Sequence, residues 1–168
     1  MQYTLGRAYN NTSGIAAYPA NNYDLSGEWG RADFDQRHRF NLLGTVKAGK
    51  LLNLGLGVSL NTGRLYSLTT GRDDYHTGFA NARPAGIGRN ILDGPGYAEF
   101  DVRWSHDFEV APPKHEVAPT ITVSIDAFNV SNHVNYTSYI GNLSSPFFGR
   151  AVSALPPRRL QLSTRFRF

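Results

Sequence analysis

The side chains that most often carry out chemistry are scattered along this chain. The sequence has five histidines, none of them paired at the i, i+4 spacing of a helical metal site, and it has no cysteine. Neither a zinc site nor a disulfide framework is therefore indicated. The G-x-S-x-G pattern, a Walker loop and a dinucleotide fingerprint are absent, and Gly86-Ile87-Gly88 lacks the helix that a phosphate site needs. The sequence predicts no enzymatic activity and no cofactor.

Charged residues alternate with apolar residues instead of forming basic runs. The net charge is +4 over 168 residues, and the arginines do not cluster, so a nucleic-acid partner is not predicted. Charges in this pattern can attract an anionic cargo or pair with opposite charges on neighbouring strands, and pairing is their usual use. We favour pairing. The residues concerned are Arg39, Glu99, Asp101, Arg103, Asp126, Arg159, Arg165 and Arg167.

The last ten residues show the clearest strand pattern. Apolar residues and Thr164 occupy one set of alternate positions, and Arg, Gln and Ser occupy the other. Successive side chains of a strand point to opposite sides, so this segment has one apolar and one polar face. Its length is that of a strand that spans a bilayer, about 9–11 residues. We interpret it as the closing strand of an outer-membrane β-barrel, with the charged residues facing the lumen.

The same alternation predicts five further strands, over residues 3–8, 37–46, 52–61, 97–108 and 120–129. The most regular one places Leu52, Leu54, Leu56, Val58 and Leu60 on one face and Gly, Ser and Asn on the other. We expect the aliphatic face to contact lipid. No run approaches 18 apolar residues, which excludes a transmembrane helix. A mean hydropathy of −0.37 suits a barrel, because the lumen and the loops dilute its apolar band.

The predicted connections alternate between long and short. Residues 10–35, 63–96 and 130–157 are long and polar, whereas residues 47–50 and 109–119 form a tight turn and a fairly short, proline-rich loop. Short periplasmic turns and long external loops are typical of an antiparallel up-and-down barrel, and they place the C-terminus in the periplasm. About six strands are too few to close such a barrel. We therefore expect residues 1–168 to be the C-terminal portion of one barrel domain, or several copies to share one barrel.

Six segments of the chain form a recognisable series. They are D-Q-R-H-R-F-N at 35–41, G-R-D-D at 71–74, A-R-P-A-G-I-G-R-N at 82–90, G-P-G-Y at 94–97, D-A-F-N-V-S-N-H-V-N-Y at 126–136, and the run that begins G-N-L-S-S-P-F-F-G at 141–149. Their order and spacing resemble the C-terminal barrel region of TonB-dependent outer-membrane receptors, in particular the Oar-like branch, whose members often carry a carboxypeptidase-regulatory-like domain. The resemblance covers roughly residues 35–168.

The resemblance implies a barrel of about 22 strands, an N-terminal plug upstream of this chain, and import of an unidentified ligand powered by an inner-membrane TonB complex. The localisation would be the bacterial outer membrane. The first residues contain no secretion signal, so we expect the natural N-terminus to lie upstream. Relatives tend to have a stretch able to hold Ca²⁺ after Gly-Arg-Asp. Here only Asp73 and Asp74 supply carboxylates, and no metal is predicted.

Two further roles follow from these interpretations. A terminal strand with alternating apolar residues and a final aromatic is similar to the signal that the barrel-assembly machinery recognises in outer-membrane proteins. The residues of that signal would be Leu160, Leu162, Phe166 and Phe168. Long loops on a rigid scaffold usually carry binding residues, and the third long loop is unusually aromatic. Its candidate ligand contacts are Tyr136, Tyr139, Phe147 and Phe148.

Two other classes of protein remain possible at this stage. One is a self-assembling pore whose subunits each donate strands to a shared barrel. The other is a soluble β-sandwich binding module, in which the same aliphatic face would pack against protein instead of lipid.

Overall fold

The computed structural model describes residues 1–15, 17–49, 52–110 and 119–168. Within these residues the regular structure is β-strand apart from one short 3₁₀ helix, which confirms the predicted all-β class. The strands are β1 (Gln2–Leu5), β2 (Tyr9–Asn10), β3 (Gly30–Arg31), β4 (His38–Ala48), β5 (Leu52–Asn61), β6 (Leu65–Tyr66), β7 (Leu92–Asp93), β8 (Tyr97–Glu109), β9 (Thr120–Phe128), β10 (Tyr136–Tyr139), β11 (Ala151–Ala154) and β12 (Arg159–Arg167). The 3₁₀ helix is Ser26–Glu28.

Six strands form one antiparallel sheet, here called the main sheet, in the order β1-β4-β5-β8-β9-β12. This order follows the chain, so each strand pairs with the preceding and the following strand of the sheet. The prediction of about six antiparallel up-and-down strands is confirmed for the described residues. Strands β1 and β12 lie at the two edges of the sheet.

The strand register joins the apolar positions of neighbouring strands into one continuous surface. Leu42 lies opposite Val58, and Val58 lies opposite Phe100. Trp104 lies opposite both Leu54 and Ile125. Because side chains alternate along every strand, this register gives the main sheet an apolar face and a polar face across all six strands.

The apolar face is not covered by other parts of the described chain. Leu42 is 36% exposed, Leu162 71% and Phe166 67%. Among the described residues, no large side chain is fully buried. The buried apolar residues are small or lie outside the main sheet: Ala20, Ala32, Leu65 and Ala82. The main sheet therefore does not pack over a hydrophobic core of the described residues.

The two short connections differ from their predicted bounds. Strand β4 extends through Lys47 and Ala48, which pair with the start of β5, so the turn is tighter than residues 47–50. Gly49 adopts a φ of +62°, which suits glycine at a tight turn. Lys50 lies outside the described residues. In the second connection Glu109 still pairs with Thr120, and residues 111–118, which include Pro112 and Pro113, also lie outside the described residues.

The three long connections were predicted as irregular loops, and this was incomplete. Each contains a two-stranded antiparallel sheet: β2 with β3, β6 with β7, and β10 with β11. These strands have two to four residues, which is too short for an alternating pattern to stand out in the sequence. The short strand predicted over residues 3–8 is present as β1, but it begins at Gln2 and ends at Leu5. No helix among the described residues has the length and apolar character needed to cross a membrane.

Candidate functional site

The three long connections pack against one another beyond one end of the main sheet. We call residues 6–37 the first loop, residues 62–96 the second loop and residues 129–158 the third loop, and together they form the loop cap. The polar face of the main sheet and the loop cap carry the charged and aromatic side chains that can contact a ligand.

One predicted charge pair is present on the polar face. Arg103 of β8 lies opposite Asp126 of β9, and their Nη1 and Oδ1 atoms are 3.4 Å apart. Arg103 also donates a hydrogen bond from Nη2 to the hydroxyl of Ser124, 3.2 Å away. The Arg103 side chain is 57% exposed, so the pair contributes little stability, about 0–1 kcal/mol. Its main effect is to fix the side chains of the two strands.

Two other arginines of the polar face, Arg39 and Arg159, contact neutral groups instead of carboxylates. The guanidinium of Arg159 lies 5.4 Å from the ring centroid of Phe128, which is its neighbour across the strands. Arg39 donates a hydrogen bond to the backbone carbonyl of Phe34. Within the described residues, no salt bridge is formed by Arg39, Arg159, Arg165 or Arg167. These four arginines therefore have no carboxylate partner among the described residues.

The remaining predicted carboxylates of the polar face have local partners. Glu99 accepts a hydrogen bond from the hydroxyl of Tyr97. Asp101 accepts one from the backbone N–H of Asn129, at 2.9 Å. The Glu99 contact lies within the first residues of β8, and the Asp101 contact joins β8 to the residue that follows β9. The two carboxylates therefore help to hold the strands in place.

The residues of the predicted assembly signal lie along the β12 edge. Leu160, Leu162 and Phe166 are on the apolar face, and Phe168 follows the last residue of the strand. All four are exposed, Leu160 by 74% and Phe168 fully. One side of β12 pairs with β9, and its other side carries backbone groups that no strand of the described residues pairs with.

The four predicted ligand contacts of the third loop fall into two environments. Tyr136, Phe147 and Phe148 are exposed, and Arg150 lies 6.0 Å above the ring of Phe147. Tyr139 instead stacks on Tyr66 of the second loop, with ring centroids 5.0 Å apart. The Tyr139 hydroxyl is buried and has no hydrogen-bond partner among the described residues, and this burial raises the pKa of Tyr139. Tyr139 therefore serves to pack the third loop on the second.

The D-A-F-N-V-S-N-H-V-N-Y segment is explained by its asparagines, which order the exit of β9. Asn129 has a φ of +50°, and its side chain bonds both the N–H and the carbonyl of His133. Asn132 accepts a hydrogen bond from the N–H of Arg158, which brings the end of the third loop back to its start. Asn135 bonds both backbone groups of Ala98 at 2.9 Å. Short amide side chains suit this task because they tolerate positive φ and form local backbone bonds.

A buried ionic cluster joins the first loop to the second. Arg83 donates to both carboxylate oxygens of Glu28, with Nη2 2.5 Å from Oε1. The exposed fractions are 11% for Arg83 and 7% for Glu28. Arg89 is also buried, and its Nη1 donates to the backbone carbonyls of Asn10 and Glu28. Burial lowers the pKa of Arg89 below its usual value, and Glu28 opposes this effect. We call Glu28, Arg83 and Arg89 the ionic cluster.

Sequence reasoning did not find the ionic cluster. Arg83 and Arg89 belong to the A-R-P-A-G-I-G-R-N segment, so a signal for the two arginines was visible. Their partner Glu28 lies 55 residues before Arg83, in a connection that was predicted as a long polar loop. The first loop also carries exposed aromatics, Trp29 at 66% and Tyr23 at 88%, that were not proposed as ligand contacts.

The fold thus defines an all-β protein with a two-faced, open antiparallel sheet and a loop cap ordered by polar contacts. No protein-family model, no curated protein and no solved structure matches this chain.

Proposed function

We propose that the main sheet is part of the wall of an outer-membrane β-barrel, and that the chain serves a TonB-dependent receptor for energised uptake of a ligand. The observation that carries this proposal is the uncovered apolar face, which continues across six strands opposite a polar face. A sheet in water would have to cover such a face with protein. In a bilayer the lipid chains cover it.

Strand length supports the same proposal. Strands β4, β5, β8, β9 and β12 contain 9 to 13 residues. A tilted strand needs about 9–11 residues to cross the hydrocarbon layer. The loop cap lies at the end of the sheet opposite the two short connections, which suits external loops on one side and periplasmic turns on the other. In this arrangement β12 ends on the periplasmic side.

The soluble β-sandwich receives less support. A sandwich covers one face of each sheet with a second sheet about 10 Å away. The three small sheets of the described residues are all in the loop cap, and Leu42, Leu162 and Phe166 remain exposed on the apolar face.

A shared barrel remains the second candidate, and the two edges of the main sheet are the observation that favours it. Strands β1 and β12 each need a partner in hydrocarbon, since unpaired backbone groups are costly there. Further strands of one longer chain or strands of other copies both meet this need. The native mass in isolated outer membranes, detected with an antibody to the last residues, separates the two. A band several times larger than 18.6 kDa supports the receptor, and a band at 18.6 kDa supports the shared barrel.

Two adjacent leucines in the middle of β4 give the sharpest test of the wall. Leu42 is on the apolar face, whereas Leu43 is on the polar face and is 82% exposed. Leu42→Arg places a charge in lipid and is expected to cost about 2–4 kcal/mol if the site is near the bilayer midplane. Leu43→Arg is the matched control and is expected to have little effect.

The measurement is the amount of each variant that reaches the outer membrane in a folded, protease-resistant form. A large loss for Leu42→Arg with near-normal assembly of Leu43→Arg supports the wall. Equal tolerance of both variants would contradict it, because two exposed leucines on a sheet in water should accept arginine alike.

A further inference from the structure

A groove on the loop cap lies between the first and second loops, above the ionic cluster. Its volume is about 440 Å³, and small-molecule sites usually have about 300–1,000 Å³. The first loop contributes one wall and residues 83–88 of the second loop contribute the other. Side chains that line the groove include Asn21, Asp24, Trp29, Tyr75 and Arg83.

Two aromatic rings are available at the groove. Trp29 is 66% exposed, and its ring is stacked on Tyr9 with centroids 6.3 Å apart and planes 17° apart. Tyr75 of the second loop is 40% exposed. Stacking on Tyr9 holds the Trp29 ring in place, so binding on the ring would lose little side-chain freedom.

The groove also offers hydrogen-bonding groups that are not used by the protein. Within the described residues, no hydrogen bond is made by the indole N–H of Trp29, the hydroxyl of Tyr75 or the Nδ2 of Asn21. Asp24 accepts a hydrogen bond from the N–H of Ser26 at 2.9 Å and is exposed, so its carboxylate retains further lone pairs. A ligand with several hydroxyl groups can use donors and acceptors of this kind together.

The only cation that lines the groove among the described residues is already neutralised. Arg83 is paired with Glu28, which leaves the exposed carboxylate of Asp24 as the remaining charge among the side chains that line the groove. A free anion would find the Arg83 guanidinium already paired. A purely apolar ligand would leave the polar wall without partners, which is costly. The groove therefore suits a polar ligand that carries no negative charge and has a flat apolar surface.

We propose that this groove binds a saccharide, with a sugar ring on Trp29 and hydroxyl groups bonded to Asp24, Asn21 and Tyr75. Sugar rings combine a flat C–H surface with hydroxyls that both donate and accept. The inference deepens the proposed function by naming a ligand class, and it rests on that function only for the outward position of the loop cap.

The test is isothermal titration calorimetry on the full protein, purified from outer membranes in detergent, against a panel of neutral oligosaccharides. The panel contains maltoheptaose, cellohexaose, xylohexaose and chitohexaose. We expect at least one of them to bind with a Kd of about 1 mM or tighter. Sodium sulfate and choline are titrated separately, as probes for an anion site and for a cation held by aromatic rings.

Variants locate the binding. Trp29→Ala and Tyr75→Ala are each expected to weaken binding of the active oligosaccharide about tenfold or more. Tyr23→Ala removes a more exposed aromatic of the first loop that does not line the groove, and it should leave binding unchanged. Trp29→Phe keeps a ring on Tyr9 and should restore part of the affinity, which separates ring stacking from loss of fold.

Three results would overturn the proposal: no heat with any oligosaccharide, binding of choline or sulfate alone, or equal loss of affinity in Tyr23→Ala. Failure of this test leaves the proposed wall function intact, because Leu42→Arg and Leu43→Arg report on the sheet alone. Failure of the leucine test, in turn, leaves calorimetric binding by the groove unaffected.

Discussion

The main sheet leaves Leu42, Leu162 and Phe166 uncovered, whereas the loop cap encloses Glu28 and Arg89. In an ordinary soluble domain this distribution is reversed, since apolar side chains are buried and charges stay in water. Under the proposed function the difference reflects two surroundings: lipid would cover the apolar face of the sheet, whereas the cap holds itself together by ion pairs and hydrogen bonds. A membrane wall with water-exposed loops accounts for both.

The cap needs this internal order because its strands are short. Two-residue ladders such as β2 with β3 and β6 with β7 are too small to be stable alone. Contacts between the loops supply the stability that these short ladders lack. The ionic cluster joins the first loop to the second, and stacking of Tyr66 on Tyr139 joins the second to the third.

The largest effect is expected from breaking the ionic cluster. Glu28→Ala leaves two buried guanidiniums without their carboxylate, which typically costs about 3–5 kcal/mol. We expect faster hydrogen exchange in residues 83–90, with unchanged exchange in β5 and β8. Asp93→Ala is the control, since this carboxylate is 65% exposed in its pair with Arg31 and should matter by less than about 1 kcal/mol. An equal increase of hydrogen exchange in the main sheet and the loop cap of Glu28→Ala would contradict the claim that the two regions are stabilised separately.

An intermediate effect is expected where the backbone of the second loop packs against itself. A Cβ at Gly63 would lie 1.8 Å from the carbonyl oxygen of Gly94, so the backbone must shift. Gly63→Ala is expected to cost about 1–3 kcal/mol through overpacking. Gly88→Ala, where a Cβ meets nothing within 4 Å, is the matched control in the same loop. Limited proteolysis of the second loop measures both, and similar cleavage of the two variants would contradict the close packing.

The smallest effect is expected from protonation of Asp73, whose carboxylate orders a turn of the second loop. The N–H of Thr77 is the main cause that lowers the Asp73 pKa below its ordinary 3.8, assisted by the N–H of Gly78 and opposed by slight burial. A pKa that is lower in the folded state stabilises the turn fully above pH 3.8. That stabilisation is lost as the pH falls through the folded pKa.

Amide exchange at Thr77 and Gly78, compared above and below that pKa, measures this effect. We expect protection at the higher pH and its loss at the lower one, with no change in the main sheet. Asp73→Asn is the control: in this variant the protection of the two amides, relative to their intrinsic exchange rates, should no longer change with pH. Protection that persists in acid would show that the carboxylate does not order the turn.

The main sheet could be predicted from the sequence because a strand with one apolar and one polar face shows a two-residue alternation of apolar and polar residues. The alternating leucines of β5 and the alternating arginines of β12 indicate the two faces within each strand's own sequence, so the neighbouring strands need not be known. The cap could not be predicted in the same way. The pairing of Glu28 with Arg83 depends on three-dimensional packing over 55 residues, and the strands of the loops are too short to show a period.

The most direct test of the central claim uses nitroxide labels on single cysteines, at Leu42, Leu43 and Tyr23, in the protein held in its native outer membrane. Power saturation then compares relaxation by oxygen, which concentrates in lipid, with relaxation by a water-soluble nickel chelate. We predict that relaxation by oxygen exceeds relaxation by the nickel chelate at position 42. The ratio of oxygen to nickel relaxation should be lower at position 43, and relaxation by nickel should be the larger of the two at position 23. Nickel dominance at position 42 as well would contradict the account, because the apolar face would then lie in water.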